Sequence, residues 1–71
     1  MCDVAKLRGK IVENGLNQMT FAKAIGMDRS TLNRRMKDGE AFTIGEAGRI
    51  VTILKLTKEE AADIFFTNIV A

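Results

Sequence analysis

The stretch from Asn17 to Gly39, NQMTFAKAIGMDRSTLNRRMKDG, constrains the fold of this 71-residue chain more than any other. Asn17 can cap a helix, because its side-chain oxygen can accept from the unpaired backbone amides of the opening turn. Gly26 stands where a left-handed residue ends that helix without steric cost, and Asp28 can cap a second helix. These signals predict two short helices joined by a tight turn, a helix-turn-helix over about residues 17–38.

Apolar residues stand where they would pack these two helices together. Leu16 and Phe21 occupy the two positions of a hydrophobic staple at the start of the first helix. Met27 and Leu32 repeat this spacing at the start of the second. Ala22 is small where the helices would cross closely, so the spacing favours a steep and close crossing.

The rest of the chain carries its own helix-start signals. Asp3 can cap an opening helix whose apolar stripe begins at Val4, Leu7 and Ile11. Two Thr-x-x-Glu capping boxes, Thr43 to Glu46 and Thr57 to Glu60, predict helices at roughly Ile44–Leu54 and Lys58–Phe66. With neither proline nor a long linker, these signals predict one all-α domain of five helices over residues 1–71.

From Gln18 onward the motif resembles that of the phage repressor and Cro family, the lambda-repressor-like helix-turn-helix regulators. The flanking segments KLRGKIVENGLNQ and FTIGEAGRIVTILKLTKEEAADIFF resemble the family's first helix and its last two. The resemblance implies a compact five-helix bundle in which helices 2 and 3 form the helix-turn-helix. Arg35 departs from it, since the family usually has a core aliphatic there. We expect Met36, four residues after Leu32, to supply that core contact.

The exposed side of the second motif helix carries the candidate DNA contacts. In this class of protein the amino-terminal residues of that helix contact base edges in the major groove. Arginine pairs well with guanine and asparagine with adenine, whereas serine discriminates less. The candidates for base contact are Arg29, Ser30, Asn33 and Arg34, of which Arg34 can also reach a phosphate.

Contacts to the DNA backbone are expected from basic and amide side chains on the same side. The resemblance assigns Gln18, at the start of the first motif helix, a positioning contact to a phosphate. The backbone candidates are Gln18, Lys23, Arg35 and Lys37, with Arg8 and Lys10 of the opening helix as weaker ones.

Charge is distributed unevenly along the chain. Residues 1–37 hold eight Lys or Arg and three acids, whereas residues 38–71 hold three bases and six acids. The amino-terminal part therefore carries +5 and the remainder −3, within a total of +2. A basic half facing phosphate and an acidic half facing away is typical of a small DNA-binding domain, although a solvated surface charged unevenly by chance gives the same count.

The resemblance implies a Cro-type or minimal repressor that binds double-stranded DNA at a near-palindromic operator as a weak or DNA-induced homodimer. It implies a cytoplasmic, nucleoid-associated location in a bacterial or phage-infected cell. The candidate for self-contact is Phe65–Ala71, with core packing of Phe65 against helix one as the competing interpretation. The alternative function is a protein-interaction module on the same fold that does not bind DNA specifically.

Other classes of function find little support in the sequence. With no histidine and no phosphate-cradling glycine loop, the chain is not expected to be an enzyme or to hold a cofactor or small-molecule ligand. The acids Glu59, Glu60 and Asp63 are interpreted as a helix start rather than a metal site. The single Cys2 favours a reducing compartment, and the chain has no apolar run long enough to span a membrane.

Overall fold

The computed structural model describes residues 3–38 and 42–65, and within them it contains five α-helices and no β-strand. In chain order the helices are α1 (Val4–Glu13), α2 (Gln18–Ile25), α3 (Arg29–Asp38), α4 (Ile44–Leu54) and α5 (Lys58–Phe65). The predicted all-α class is confirmed, and α4 has its predicted bounds. The predicted end of the last helix at Phe66, like Cys2 and residues 66–71, lies outside the described residues.

The predicted helix caps form as hydrogen bonds. The Asp3 carboxylate accepts from the Lys6 amide at 3.2 Å, and the Asn17 side chain accepts from the Thr20 amide at 2.9 Å. In α4 the Thr43 hydroxyl accepts from the Glu46 amide at 3.1 Å, and Glu46 accepts from the Thr43 amide at 2.8 Å. Each cap satisfies amides that have no partner within their helix, which is why the helices begin at these residues.

The same capping box recurs at the start of α5. The Thr57 hydroxyl accepts from the Glu60 amide at 3.1 Å, and the Glu60 carboxylate accepts from the Thr57 amide at 2.9 Å. Two successive helices therefore begin with the same local motif, and the carboxylate of each glutamate also accepts from a cation of an earlier helix.

The turn between α2 and α3 is as short as predicted. Gly26 adopts a left-handed conformation at φ 67° and ψ 32°, which favours glycine because a Cβ would be strained there. The Gly26 amide donates to the Lys23 carbonyl at 3.2 Å, and the Met27 amide donates to the Ala22 carbonyl at 2.9 Å. Helix α3 begins at Arg29, so only three residues separate it from α2.

The core draws side chains from all five helices. It is formed by Leu7, Ile11, Phe21, Ala22, Ile25, Leu32, Met36, Ile50, Leu54, Leu56 and Ile64. Leu32 and Met36 attach α3 to this core, and Met36 is only 2% exposed, so the expected inward contact of Met36 is confirmed. Fully burying a side chain of this size contributes about 1.5–3 kcal/mol, so these two residues dominate the docking of α3.

Helix α5 returns to the beginning of the chain. The Asp3 amide donates to the Ile64 carbonyl at 2.7 Å, and Lys6 pairs with Asp63 at 3.0 Å. Across the described ranges, no helix is both long and apolar enough to cross a membrane.

Candidate nucleic-acid interface

Helix α3 presents a continuous polar face to solvent. Leu32 and Met36, one helical turn apart, are buried, whereas five other side chains of the helix are exposed. The exposed residues are Arg29, Ser30, Asn33, Arg34 and Lys37. All four side chains predicted to contact bases, and Lys37 from the backbone set, therefore lie on this outward face.

The outward face has a simple internal order. Arg29, Asn33 and Lys37 are spaced by four residues and so form one row along α3, with Ser30 and Arg34 forming a parallel row beside it. At 1.5 Å per residue the longer row extends over about 12 Å. The major groove of DNA, about 12 Å wide, admits an α-helix, and the donors of this row are of the kinds that read base edges there.

The Ser30 amide and hydroxyl both make hydrogen bonds to Asp28 at the start of α3. The Asp28 carboxylate accepts from the Ser30 amide at 3.2 Å, and the Ser30 hydroxyl donates to the same carboxylate. The Ser30 hydroxyl, and after it the Thr31 amide, lower the pKa of Asp28 below its ordinary value. Because its proton is used by Asp28, the Ser30 hydroxyl presents an acceptor rather than a donor to solvent.

Gln18 connects the two helices at the edge of this face. Its side-chain amide nitrogen lies 3.5 Å from the Met36 sulfur, so the first residue of α2 lies against α3. Arg8 and Gln18 line one groove, which lies between α1 and the start of α2 and reaches Met36 of α3. The sequence made Arg8 a weaker candidate because basic residues of the first helix are more often plain surface, whereas in the structure Arg8 shares this groove with Gln18. Lys23 is exposed in the last turn of α2.

Arg35, one of the predicted contacts to the DNA backbone, is engaged with α4 in the structure. Its guanidinium donates to the Glu46 carboxylate of α4 and lies 5.7 Å from the centre of the Phe42 ring. The Arg35 side chain is 18% exposed. Arg35 follows the buried Leu32 by three residues and so flanks the buried stripe on the side of α4, whereas Lys37, on the other side of Met36, faces solvent.

Lys10 is likewise engaged away from α3. Its ammonium pairs with Glu60 of α5 and lies 3.4 Å from Glu13. The hydrogen bond to Glu60 raises the pKa of Lys10, and the same bond lowers the pKa of Glu60. Lys10 therefore belongs to the junction of α1 with α5 and is removed from the candidate interface.

Comparison with known proteins gives a family match. A family profile matches residues 1–68. The chain belongs to the DUF739 family. Its description is a protein of unknown function, and the match spans all five helices. No curated protein and no solved structure matches the chain.

In this DUF739 protein, the feature that sequence reasoning missed is Glu46. The sequence identified it only as the acid of a capping box, but in the structure it also receives Arg35. Burial by itself raises the pKa of Glu46, but the Thr43 amide and the Arg35 guanidinium outweigh burial, so the pKa lies below its ordinary value. The available signal was Arg35 itself, a cation at a position where the resemblance called for an aliphatic residue.

Proposed function

We propose that this protein binds double-stranded DNA sequence-specifically, as a Cro- or repressor-type transcriptional regulator. In this proposal α2 and α3 act as a helix-turn-helix, and α3 enters the major groove of a near-palindromic operator. The activity would belong to the cytoplasm and nucleoid of a bacterial or phage-infected cell.

The observation that carries the proposal is the division of α3 into two faces. Two buried apolar residues, Leu32 and Met36, attach it to the core, and the exposed positions hold cations and hydrogen-bonding side chains. A short helix that displays arginine and asparagine in one row has the donors and acceptors that bidentate pairing with guanine and adenine requires. In the proposal Arg29 and Asn33 read bases, Arg34 reads a base or contacts a phosphate, and Ser30 accepts from a base.

Backbone contacts would set the register of α3 on the duplex. In the proposal Gln18, which lies against α3, and the exposed Lys23 and Lys37 contact phosphates. Side chains of this kind hold phosphates and fix orientation without reading sequence. Arg8, in the groove with Gln18, joins this set.

One copy of α3 reads only one half-site, so the proposed partner besides DNA is a second copy of the chain. Two-fold symmetric proteins of this kind place their reading helices one DNA turn apart, about 34 Å. The predicted self-contact segment lies mostly outside the described residues. Its first residue, Phe65, is half-buried and packs edge-to-face on Phe42, with 6.1 Å between the ring centres. This contact favours a core role for the Phe65 ring.

A protein-interaction module on the same fold is the second candidate function. It draws support from Ile44, which is 93% exposed at the start of α4, and from the exposed Val12 and Met19. An apolar partner surface would use such residues, whereas it has no need of the cations on α3.

Selection of bound sequences from a pool of random duplexes at physiological salt tests the proposal. We expect an inverted repeat with half-sites one turn apart. Recovery of no motif, with binding that disappears as salt rises, would reduce the activity to non-specific attraction to phosphate and would favour the protein-interaction module.

A further inference from the structure

The pair formed by Arg35 and Glu46 connects α3 to the first turn of α4 through a single atom. The Glu46 Oε1 atom accepts from the Arg35 guanidinium and also from the Thr43 backbone amide, at 2.8 Å from the latter. The capping box already fixes the Glu46 side chain, because both of its reciprocal hydrogen bonds are formed. Arg35 therefore binds a carboxylate whose position the capping box already fixes.

An aromatic ring restrains the guanidinium from another direction. Arg35 lies 5.7 Å from the centre of Phe42, and Phe42 packs edge-to-face against Phe65 of α5. The Arg35 Nε atom is buried and has no hydrogen-bond partner among the described residues. A buried donor without a partner is unfavourable, so the arrangement is not optimised for stability alone.

The apolar contacts of α3 leave its rotation about the helix axis free, and the ion pair of Arg35 with Glu46 can fix that rotation. Leu32 and Met36 hold α3 on the core, but apolar contacts are non-directional and methionine adapts its shape. A rotation of α3 about its axis would keep both residues buried while it moves Arg29 and Asn33 relative to a groove. Charged hydrogen bonds are directional and are suited to fix such a rotation.

We propose that Arg35 is a positioning residue whose ion pair with Glu46 sets the rotation of α3 relative to α4, and with it the sequence discrimination of the outward face. The part that concerns α3 stands by itself, and the part that concerns discrimination rests on the proposed DNA binding.

The molecule contains a matched control at its other side. Glu60, like Glu46, is the acid of a capping box and pairs with a cation from an earlier helix, Lys10 of α1. Both cations are only partly exposed, Arg35 by 18% and Lys10 by 24% of the side chain. The Lys10 pair joins α1 to α5 and does not involve α3.

The test replaces each ion pair by a neutral pair of similar size. In R35M/E46Q the glutamine oxygen still accepts from the Thr43 amide, so the cap is retained while the ion pair is lost. Residual dipolar couplings of backbone amides, measured without DNA, give the orientation of α3 relative to the other helices. We expect α3 to be reoriented in R35M/E46Q and to keep its orientation in K10M/E60Q. An unchanged α3 in R35M/E46Q would overturn the proposal.

Arg35→Lys keeps the test decisive if R35M/E46Q does not fold. A lysine ammonium leaves a cation beside Glu46 but removes the planar guanidinium that lies over Phe42, and a point charge tolerates several geometries. We therefore expect R35K to fold but to lose the wild-type orientation of α3. An unchanged orientation of α3 in R35K would contradict the proposal.

The ratio of affinities for the selected site and for the same site with one base pair changed then tests discrimination. A loss of folded protein lowers both affinities by the same factor and leaves this ratio unchanged, so a merely structural role would not alter it. We expect R35M/E46Q to lower the ratio by about fivefold or more, the lower end of what one bidentate base contact supplies. K10M/E60Q should keep it, whereas R35K should lower it. A reoriented α3 with an unchanged ratio would overturn the link to discrimination, and failure to select any site would instead refute the proposed DNA binding while the orientation measurement stands.

Discussion

The junction of α3 with α4 and the junction of α1 with α5 are built from the same local motif but hold their helices differently. At the first, Glu46 receives the planar guanidinium of Arg35, and the Phe42 ring restrains that group from another direction. At the second, Glu60 receives the flexible ammonium of Lys10, which it shares with Glu13. The glutamate side chains are 16% and 34% exposed, respectively.

This difference shows what a capping box can do beyond starting a helix. The box fixes a carboxylate, and the cation that binds it decides whether the junction is directional. An arginine fork restrained by an aromatic ring fixes angle and rotation, whereas a lysine presents a point charge that tolerates several geometries. The directional junction lies behind the proposed DNA-reading helix, and the tolerant one lies in the scaffold.

The largest expected effect comes from removing one charge at each junction. Glu46→Gln leaves the Arg35 cation partly buried without a carboxylate, so we expect a loss of about 2–3 kcal/mol in the free energy of unfolding, below the 3–5 kcal/mol of a fully buried pair. Glu60→Gln should cost less, because a more exposed pair contributes less. Both glutamines keep the cap, and urea denaturation with unchanged m-values measures the difference. Equal losses would remove the energetic distinction between the junctions.

Substitutions on the outward face give the next effect and test what the directional junction positions. Asn33→Ala should cost about 1–3 kcal/mol at one base position of the selected site and leave the other positions unaffected. Lys23→Ala is the matched control, since it should weaken binding to all sequences alike and lower the salt slope by about one. Fluorescence anisotropy with single-base variants of the site separates these results. A uniform loss from Asn33→Ala would contradict base reading by α3.

Acidification should weaken both junctions. Folding lowers the pKa of Glu46 and of Glu60 below an ordinary value of 4.5, so their stabilisation is complete above that pH. It is lost as pH falls through the lower values of the folded protein. We therefore expect a Tm that is level near neutral pH and decreases below about 4.5. Each Glu→Gln variant should flatten this decrease. If the Tm of E46Q decreased below about pH 4.5 as steeply as that of the wild type, Glu46 would not contribute to this decrease.

The smallest expected effect concerns one glycine beside each junction. A Cβ added at Gly48 of α4 or at Gly9 of α1 would meet no atom within 4 Å, and neither glycine has a positive φ. Alanine should therefore stabilise either helix by up to about 1 kcal/mol, through helix propensity alone. Thermal unfolding measures this gain. If Gly9→Ala raises the stability while Gly48→Ala lowers the affinity for DNA, the surface of α4 contacts DNA or a partner. The proposed interface does not include such a contact.

The sequence predicted the parts of this fold that local interactions decide. Asn17 and the two capping boxes form hydrogen bonds between residues three apart, and Gly26 ends α2 through its own backbone conformation. The core role of Met36 followed from its spacing to Leu32, once Arg35 departed from the aliphatic residue that the resemblance implies there. Patterns of this range are visible without knowledge of how the helices pack.

The sequence did not predict which charges meet. Arg35 and Glu46 are eleven residues apart, and Lys10 and Glu60 are fifty apart, so each pairing depends on the packing of whole helices. Arg35 was therefore assigned to DNA from its charge, whereas the packing of α3 on α4 brings it to Glu46. The exposure of Arg29 and Asn33, by contrast, followed directly from the inward positions of Leu32 and Met36.

Amide chemical-shift mapping during titration with DNA tests the central claim most directly, namely that α3 and not the α1–α5 side is the binding surface. A mixed-sequence duplex of about 20 base pairs, long enough for two half-sites one turn apart, suffices as the probe at low salt. The account predicts perturbations concentrated at Arg29–Lys37 and at the start of α2, with Lys10 and Glu60 unaffected. Perturbations centred on α1 and α5, or none at any protein concentration that NMR permits, would contradict it.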